Sequence, residues 1–320
     1  MCLKFKQFVT ILALLVVNGC SLSPEHPLRM AIHQWPGYEL FFLARSLGLY
    51  DKNSIRLIET ASASETSSAL RHGIIEAGTL TLDETLNLIQ DGVDVHVVLV
   101  IDASNGADAV IAKKEISNIA SLRGKRIGVE TGAVGAIMLD AALQEGKLIA
   151  NDVTIVPLSF DEHLATWQKG DVDALVTFEP IIAQALEKGG HVLFDSSQIP
   201  SRILDVLVVS DDALKNHPDA LKQLISGYFA AHDYLAQKPE DALAVIAPRL
   251  DSTPESVKSQ FNGMVLLNRD QNQKILQGKP ARLETLAAEL SELMISRDLL
   301  QHKPNITNLA EPGFLPQVNK

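Results

Sequence analysis

Residues 28–50 read LRMAIHQWPGYELFFLARSLGLY. The run Leu28–Gln34 is rich in apolar residues and suits a strand covered on both faces. Trp35-Pro36-Gly37-Tyr38 then turns the chain into a helical stretch that Gly48-Leu49-Tyr50 closes. One strand followed at once by one helix is the unit of an α/β fold, and the unit repeats. Strands are expected at Ile55–Glu59, Ala77–Thr81, His96–Asp102, Ala109–Lys113, Arg126–Thr131, Val153–Leu158, Ala174–Phe178, Val192–Phe194 and Asp205–Ser210. Between them, Ser62-x-x-Glu65 and Ser159-x-x-Glu162 are capping boxes that start helices, and a helix is expected from about Ala133 through Leu148. This alternation predicts a mainly parallel sheet with helices on both faces. From Asp211 the pattern becomes helical: Pro218–Gln237, Glu240–Arg249, Pro254–Met264 and Ala281–Leu300, with Pro254 at a first helical position.

The first residues carry an address. Lys4 and Lys6 precede an unbroken apolar run, Phe8–Val17, and then Val17-Asn18-Gly19-Cys20. A basic start, an apolar run shorter than the ~20 residues a bilayer span needs and a small residue before the cut describe a secretory signal over 1–19. Cys20 is then the first mature residue, and 20–27 a short tether. Cys2 and Cys20 are the two cysteines, so the body carries no disulfide, no Cys nucleophile and no Cys-ligated metal. The 320 residues suggest about two domains. With 28 Lys and Arg against 39 Asp and Glu, net charge −11, the chain is a poor partner for nucleic acid.

Several stretches resemble known families. Gly19-Cys20 is similar to the lipobox of bacterial lipoproteins, which implies a lipid on Cys20; Ser21 after it implies the outer membrane of an envelope with two. Gln34–Tyr38, Ala44–Tyr50, Ala69–Gly73, Glu76–Gly78, Leu122–Val129, Asp152-Val153 and Lys169–Leu175, in that order, resemble the nitrate/taurine/aliphatic-sulfonate group of ABC-transporter solute-binding proteins, which also includes thiamine-pyrimidine binders. Asp102–Ala109 (DASNGADA) and Thr177-Phe178-Glu179-Pro180 add to the resemblance. It implies a type II periplasmic-binding-protein fold: two α/β lobes, two crossing strands as hinge, the C-terminal helices packed on the first lobe, and ligand in the cleft. The crossings are expected near Ala109–Lys113 and Asp205–Ser210, which gives 28–110 plus 208–320 for lobe 1 and 111–207 for lobe 2. The implied partners are a small molecule, the permease and ATPase subunits of an importer, and the membrane through Cys20; a monomer without cofactor is expected.

Open α/β sheets bind ligands beyond the carboxyl ends of their strands. The residues expected there are Trp35, Tyr38, Asp83, Ser104, Asn105, Asp108, Thr131, Gly132, Ala133, Glu179 and Asp205. Each also has a plain structural reading: Trp35 and Tyr38 as packing, Asp83 as a helix cap, Asn105-Gly106 as a turn, and Gly132-Ala133 as an ordinary helix start. As a set they are acidic, and no Lys or Arg directly follows these strands; Arg202 is the nearest. Carboxylates around a sulfonate or nitrate are costly, whereas they and the faces of Trp35 and Tyr38 suit a cation. The expected ligand therefore carries an amino or ring nitrogen, and if zwitterionic sets its anionic end on the N–H groups at Gly132-Ala133.

Two other classes compete. An enzyme is disfavoured: the Cys-rich motif of the thiamine-pyrimidine synthases that share the fold is absent, as are G-x-S-x-G and a phosphate loop. Histidines 26, 33, 72, 96, 163, 191, 217, 232 and 302 are scattered without metal-ligand spacing, so no metal is expected. A lipoprotein that presents its ligand to a membrane signalling receptor uses the same cleft and stays open.

Overall fold

A computed structural model describes residues 26–132 and 134–317; the signal, Cys20 and Ala133 lie outside the described residues. The first sheet contains β1 (Leu28–Ile32), β2 (Ile55–Glu59), β3 (Ala77–Thr81) and β4 (Val95–Ser104). The second contains β5 (Asp108–Ala112), β6 (Arg126–Val129), β7 (Thr154–Pro157), β8 (Ala174–Phe178) and β9 (His191–Asp195). The chain then returns to the first sheet as β10 (Leu204–Ser210) and β11 (Met264–Leu266). The spatial orders are β11-β4-β10-β3-β1-β2 and β7-β6-β8-β5-β9. Parallel pairs β1–β2, β1–β3, β6–β7 and β6–β8 sit beside antiparallel β4, β5, β9, β10 and β11. The ten expected strands all form, but both sheets are more mixed than their alternation with helices predicts.

The helices follow the apolar stripes. They are α1 (Glu39–Ser46), α2 (Ala63–Arg71), α3 (Leu82–Gln90), α4 (Val134–Glu145), α5 (His163–Lys169), α6 (Ile181–Glu187), α7 (Asp211–Asn216), α8 (Pro218–Gln237), α9 (Pro239–Ile246), α10 (Pro254–Phe261), α11 (Arg269–Leu276) and α12 (Arg282–Ser296). Ser62 accepts from the Glu65 N–H at the head of α2 (3.3 Å). The second expected box heads a 3-10 turn before α5, where Glu162 accepts from the Ser159 N–H (3.0 Å). α8 packs on α1 through Tyr228 and Phe41, whose ring centroids are 4.8 Å apart. β11 was not expected: three residues inside a helical region carry too short a pattern to read, and it forms because β4 offers an open edge.

Residues 105–107 carry the chain from the first sheet to the second, and 196–203 carry it back. The lobes touch. Ser104 Oγ lies 2.7 Å from Ser196 Oγ, Trp35 meets Phe178 edge to face at 5.8 Å, and Arg297 donates to Gln144 (2.7 Å) from the end of α12. Among the described residues no helix is long and apolar enough to cross a membrane.

Candidate functional site

Strand register assembles the centre of the cleft. β10 runs antiparallel between β3 and β4, which sets Asp205 opposite both Thr81 and Asp102. Like charges directly opposite one another destabilise a sheet, so this pairing needs a reason beyond folding. Asp108 starts β5, opposite Phe178 of β8. α3 begins directly after β3 and brings Asp83 and Glu84 to the same region. Glu130 follows β6 just before α4. All six carboxylates are at most 5% exposed.

Their partners are few. Trp35 Nε1 donates to Asp102 Oδ2 (3.0 Å), and Tyr38 donates its hydroxyl to Asp205. Gly37 makes the Trp35–Asp102 bond possible, since a Cβ there would lie 2.1 Å from Asp102 Oδ2. Glu84 accepts from the Thr81 N–H (2.8 Å) as a cap and from the Val134 N–H of the other lobe (3.2 Å). Glu130 returns the contact, accepting from the Ser64 N–H at the start of α2 (3.2 Å). One oxygen on each of Asp83, Asp102, Asp108 and Glu130 is buried without a partner among the described residues. An unpaired buried acceptor costs about 1–3 kcal/mol, more when charged, so four together mark a place built to receive donors.

No Lys or Arg forms an ion pair with any of these six among the described residues. Nearby histidines add no charge: burial lowers His33 to about 3 and His163 to about 4. Burial is also the main reason the carboxyls are hard to ionise. It raises Asp102 and Asp108 to about 7, Asp83 to about 6 and Glu84 to about 8, with Asp83 and Glu130 adding repulsion at Glu84. Asp205 is pushed up first by burial and then by the charge of Asp102, while the Tyr38 hydroxyl pulls it down. Tyr38 is raised too, first by burial, and so remains a donor.

Aromatic rings wall the site. Phe160 stacks on Phe178 with centroids 4.1 Å apart, and His33 meets Tyr38 edge to face at 5.1 Å. His163 Nδ1 lies 3.0 Å from Thr177 Oγ1. Asp108, Glu130, Met138, His163, Thr177 and Phe178 line one cavity. A second, more open groove beside Asp83 is lined by Arg71, Asn87, Thr131 and Gly132.

Of the expected residues, Trp35, Tyr38, Asp83, Ser104, Asp108 and Asp205 are buried together at the interface of the lobes. Asn105 departs from expectation: it is exposed, and its N–H is spent on the Gly263 carbonyl (2.8 Å) in a turn. Thr131 and Gly132 are exposed at the groove. Glu179 is half-buried and accepts from the Ala183 N–H (3.1 Å), which is the plain capping role; burial raises it to about 7. The helix start expected to hold a ligand anion already faces the chain's own carboxylate, Glu84. Sequence reasoning missed Asp102 and Glu130 as site residues, while Glu84 was read as one of the carboxylates that follow the strands. Asp102 had a signal, as the first letter of the DASNGADA run.

Comparison with known proteins gives the arrangement a context. Residues 22–249 match the NMT1-like family. The taurine-binding periplasmic protein of Escherichia coli (strain K12) is 32% identical over 197 residues, covering 58% of this chain and 61% of that protein, less than two thirds of its length. Among solved structures, the periplasmic aliphatic sulphonate binding protein SsuA from Escherichia coli has a TM-score of 0.71 at 18% identity, covering 89% of this chain and 97% of that one. The desulfurization enzyme DSZB has a TM-score of 0.64 at 19% identity, covering 90% and 97%. These two likenesses establish the fold, a two-lobed periplasmic-binding-protein architecture, and the fold alone does not separate binding from catalysis.

Proposed function

Because the chain belongs to the NMT1-like family, we propose that it is the solute-binding component of an ABC importer, closing two lobes over a small molecule that carries a protonated nitrogen. The observation that carries this reading is the set of buried carboxylates with unpartnered oxygens on Asp83, Asp102, Asp108 and Glu130, with no Lys or Arg paired to them among the described residues. An ammonium or protonated ring nitrogen supplies the missing donors and the missing charge, and the rings of Trp35 and Phe178 offer it their faces. Bonds to Asp102 on one lobe and Asp108 on the other make the closed form the better binder, and ligand therefore favours closure. A permease that recognises the closed form then sees only loaded protein.

The relatives named for taurine and sulphonates favour a ligand with an anionic end as well. A zwitterion meets both demands. Its cationic end takes the carboxylates, and its anionic end lies toward the groove where Thr131 and Gly132 stand beside Asp83, with Arg71 there already paired to Asp91. The N–H of Val134, already bonded to Glu84, is not needed for this. Lipid on Cys20 holding the protein to a membrane, the outer one if Ser21 is read as a sorting signal, completes the proposal; the intact mass of the mature N-terminus tests it.

A thermal-shift screen against amines, amino acids, amino sulfonates, pyrimidines and simple anions tests the reading. A ligand at about 100 times its dissociation constant adds about 2.7 kcal/mol of stability. Stabilisation confined to compounds with a protonated nitrogen supports the proposal. Stabilisation by nitrate or simple alkanesulfonates alone overturns the ligand class while leaving the binding role intact.

A further inference from the structure

The amino ends of β1 and β3, opposite the cleft, carry a second cluster. His26 precedes β1, Glu76 precedes β3, and His217 stands between α7 and α8. One ligand atom from each of the three lies within 4.8 Å of the other two. The two imidazole rings tilt at 48° with centroids 5.0 Å apart. His217 is only 7% exposed, and its Nε2 is buried with no partner among the described residues. A buried ring nitrogen without a partner is costly, and the residue that carries this one belongs to the same cluster as an exposed imidazole and a carboxylate.

The remaining atoms are prepared for a metal. His26 Nδ1 lies 3.3 Å from the Pro27 carbonyl, so a proton there leaves Nε2 free, the usual second bond of a metal-bound histidine. Glu76 is held in place by the Arg29 N–H (2.9 Å) and Arg29 Nε (3.0 Å). These bonds, opposing the effect of burial, keep its carboxyl below the usual range, so it is ionised. The guanidinium also donates from Nε to Oε2 (3.2 Å) and from Nη2 to Oε1, so each oxygen accepts two bonds from Arg29 and an ion binds Glu76 by displacing one of them. Two imidazoles and one carboxylate with an exposed side suit a borderline divalent ion; Ca²⁺ and Mg²⁺ prefer all-oxygen sets.

We propose that His26, His217 and Glu76 bind one Zn²⁺-class ion, fastening the start of the body to the α7–α8 corner. Bonds of ~2.0–2.1 Å draw the donors to roughly 3.3 Å apart, a movement the exposed His26 can supply. The sequence hides such a site, because its ligands lie 50 and 141 residues apart.

The test is calorimetric titration of the purified protein with ZnCl₂, backed by the visible absorption of Co²⁺ as a geometric probe. The expected result is saturable binding of one ion per chain, weakened about tenfold or more by His26→Ala and by His217→Gln, with cleft-ligand affinity unchanged in His26→Ala. No saturable binding up to about 1 mM, or equal binding in both variants, overturns the proposal. His26 is exposed, so its variant keeps the test decisive even if His217→Gln misfolds.

Discussion

Two sets of buried carboxylates differ in what is paired with them. Glu76 is 4% exposed and Glu39 2% exposed. Each has an arginine: Arg29 on Glu76, and Arg249 on Glu39, where the guanidinium also lies 3.4 Å over the Phe42 ring. Arg29 holds Glu76 below its usual range despite burial, whereas at Glu39 burial outweighs the pull of Arg249 and raises the carboxyl to about 7. Asp102, Asp108 and Asp205 are as deeply buried, pair with no arginine among the described residues, and are all driven upward. Folding accounts for the first set, since each charge is paired where it was desolvated. The second set is a cost to the fold and a benefit only when something positive arrives. That difference separates structure from function here more sharply than burial or residue type does.

The comparison can be broken at several points. The largest effect is expected from Arg29→Met, which strands the buried Glu76 carboxylate and should cost about 3 kcal/mol in chemical denaturation, with no specific effect on the cleft. Asp108→Asn should act in the opposite sense. It removes an unpaired buried charge, so the ligand-free protein should melt at a higher temperature, while affinity for a cationic ligand should fall about 10- to 100-fold, or about 1.4–2.8 kcal/mol. A loss of both stability and affinity would place Asp108 among the structural carboxylates.

The pH dependence follows from the same shifts. The cleft carboxyls have folded-state pKa values raised above their unfolded ones, so between about pH 4 and the raised values the native state binds more protons than the unfolded chain. Ligand-free stability should therefore fall as pH climbs toward 7–8, the range to which Asp102, Asp108 and Glu84 are raised. Cation binding requires the ionised carboxylates and should tighten over that interval, so saturating ligand should flatten the melting profile. A ligand-free melting temperature that rises from pH 5 to pH 8 would contradict the assignment. The smallest effect is expected from Arg297→Ala. Its bonds to Gln144 and Asp140 cross the cleft at a partly exposed site, and such pairs contribute about 0–1 kcal/mol, so ligand affinity should change by less than about fivefold.

The alternation of strands and helices was legible because buried strands and capped helices each leave a local pattern. β11 was not, since three residues carry no period and pair only because β4 has a free edge. The acidity of the cleft was legible too, from residues at strand ends, such as Asp83 after β3 and Asp108 at the start of β5. The pairing of Asp102 with Asp205 was not, because antiparallel register is fixed by the whole sheet. Glu130 was missed for a related reason. It caps a helix of the opposite lobe, and a bond between lobes leaves no trace in local spacing. Asn105 stands in a turn and Glu179 caps α6, roles that local sequence does not separate from ligand contact.

The most direct measurement is calorimetric titration with a matched pair: a short ω-amino sulfonate and the same sulfonate with hydrogen in place of the amine. If the carboxylates of the cleft are there to receive a cation, the amino compound binds and its partner binds at least about tenfold more weakly, with the gap narrowing in Asp108→Asn. Equal affinity for the two compounds would contradict the account, because the buried charges would then play no part in recognition.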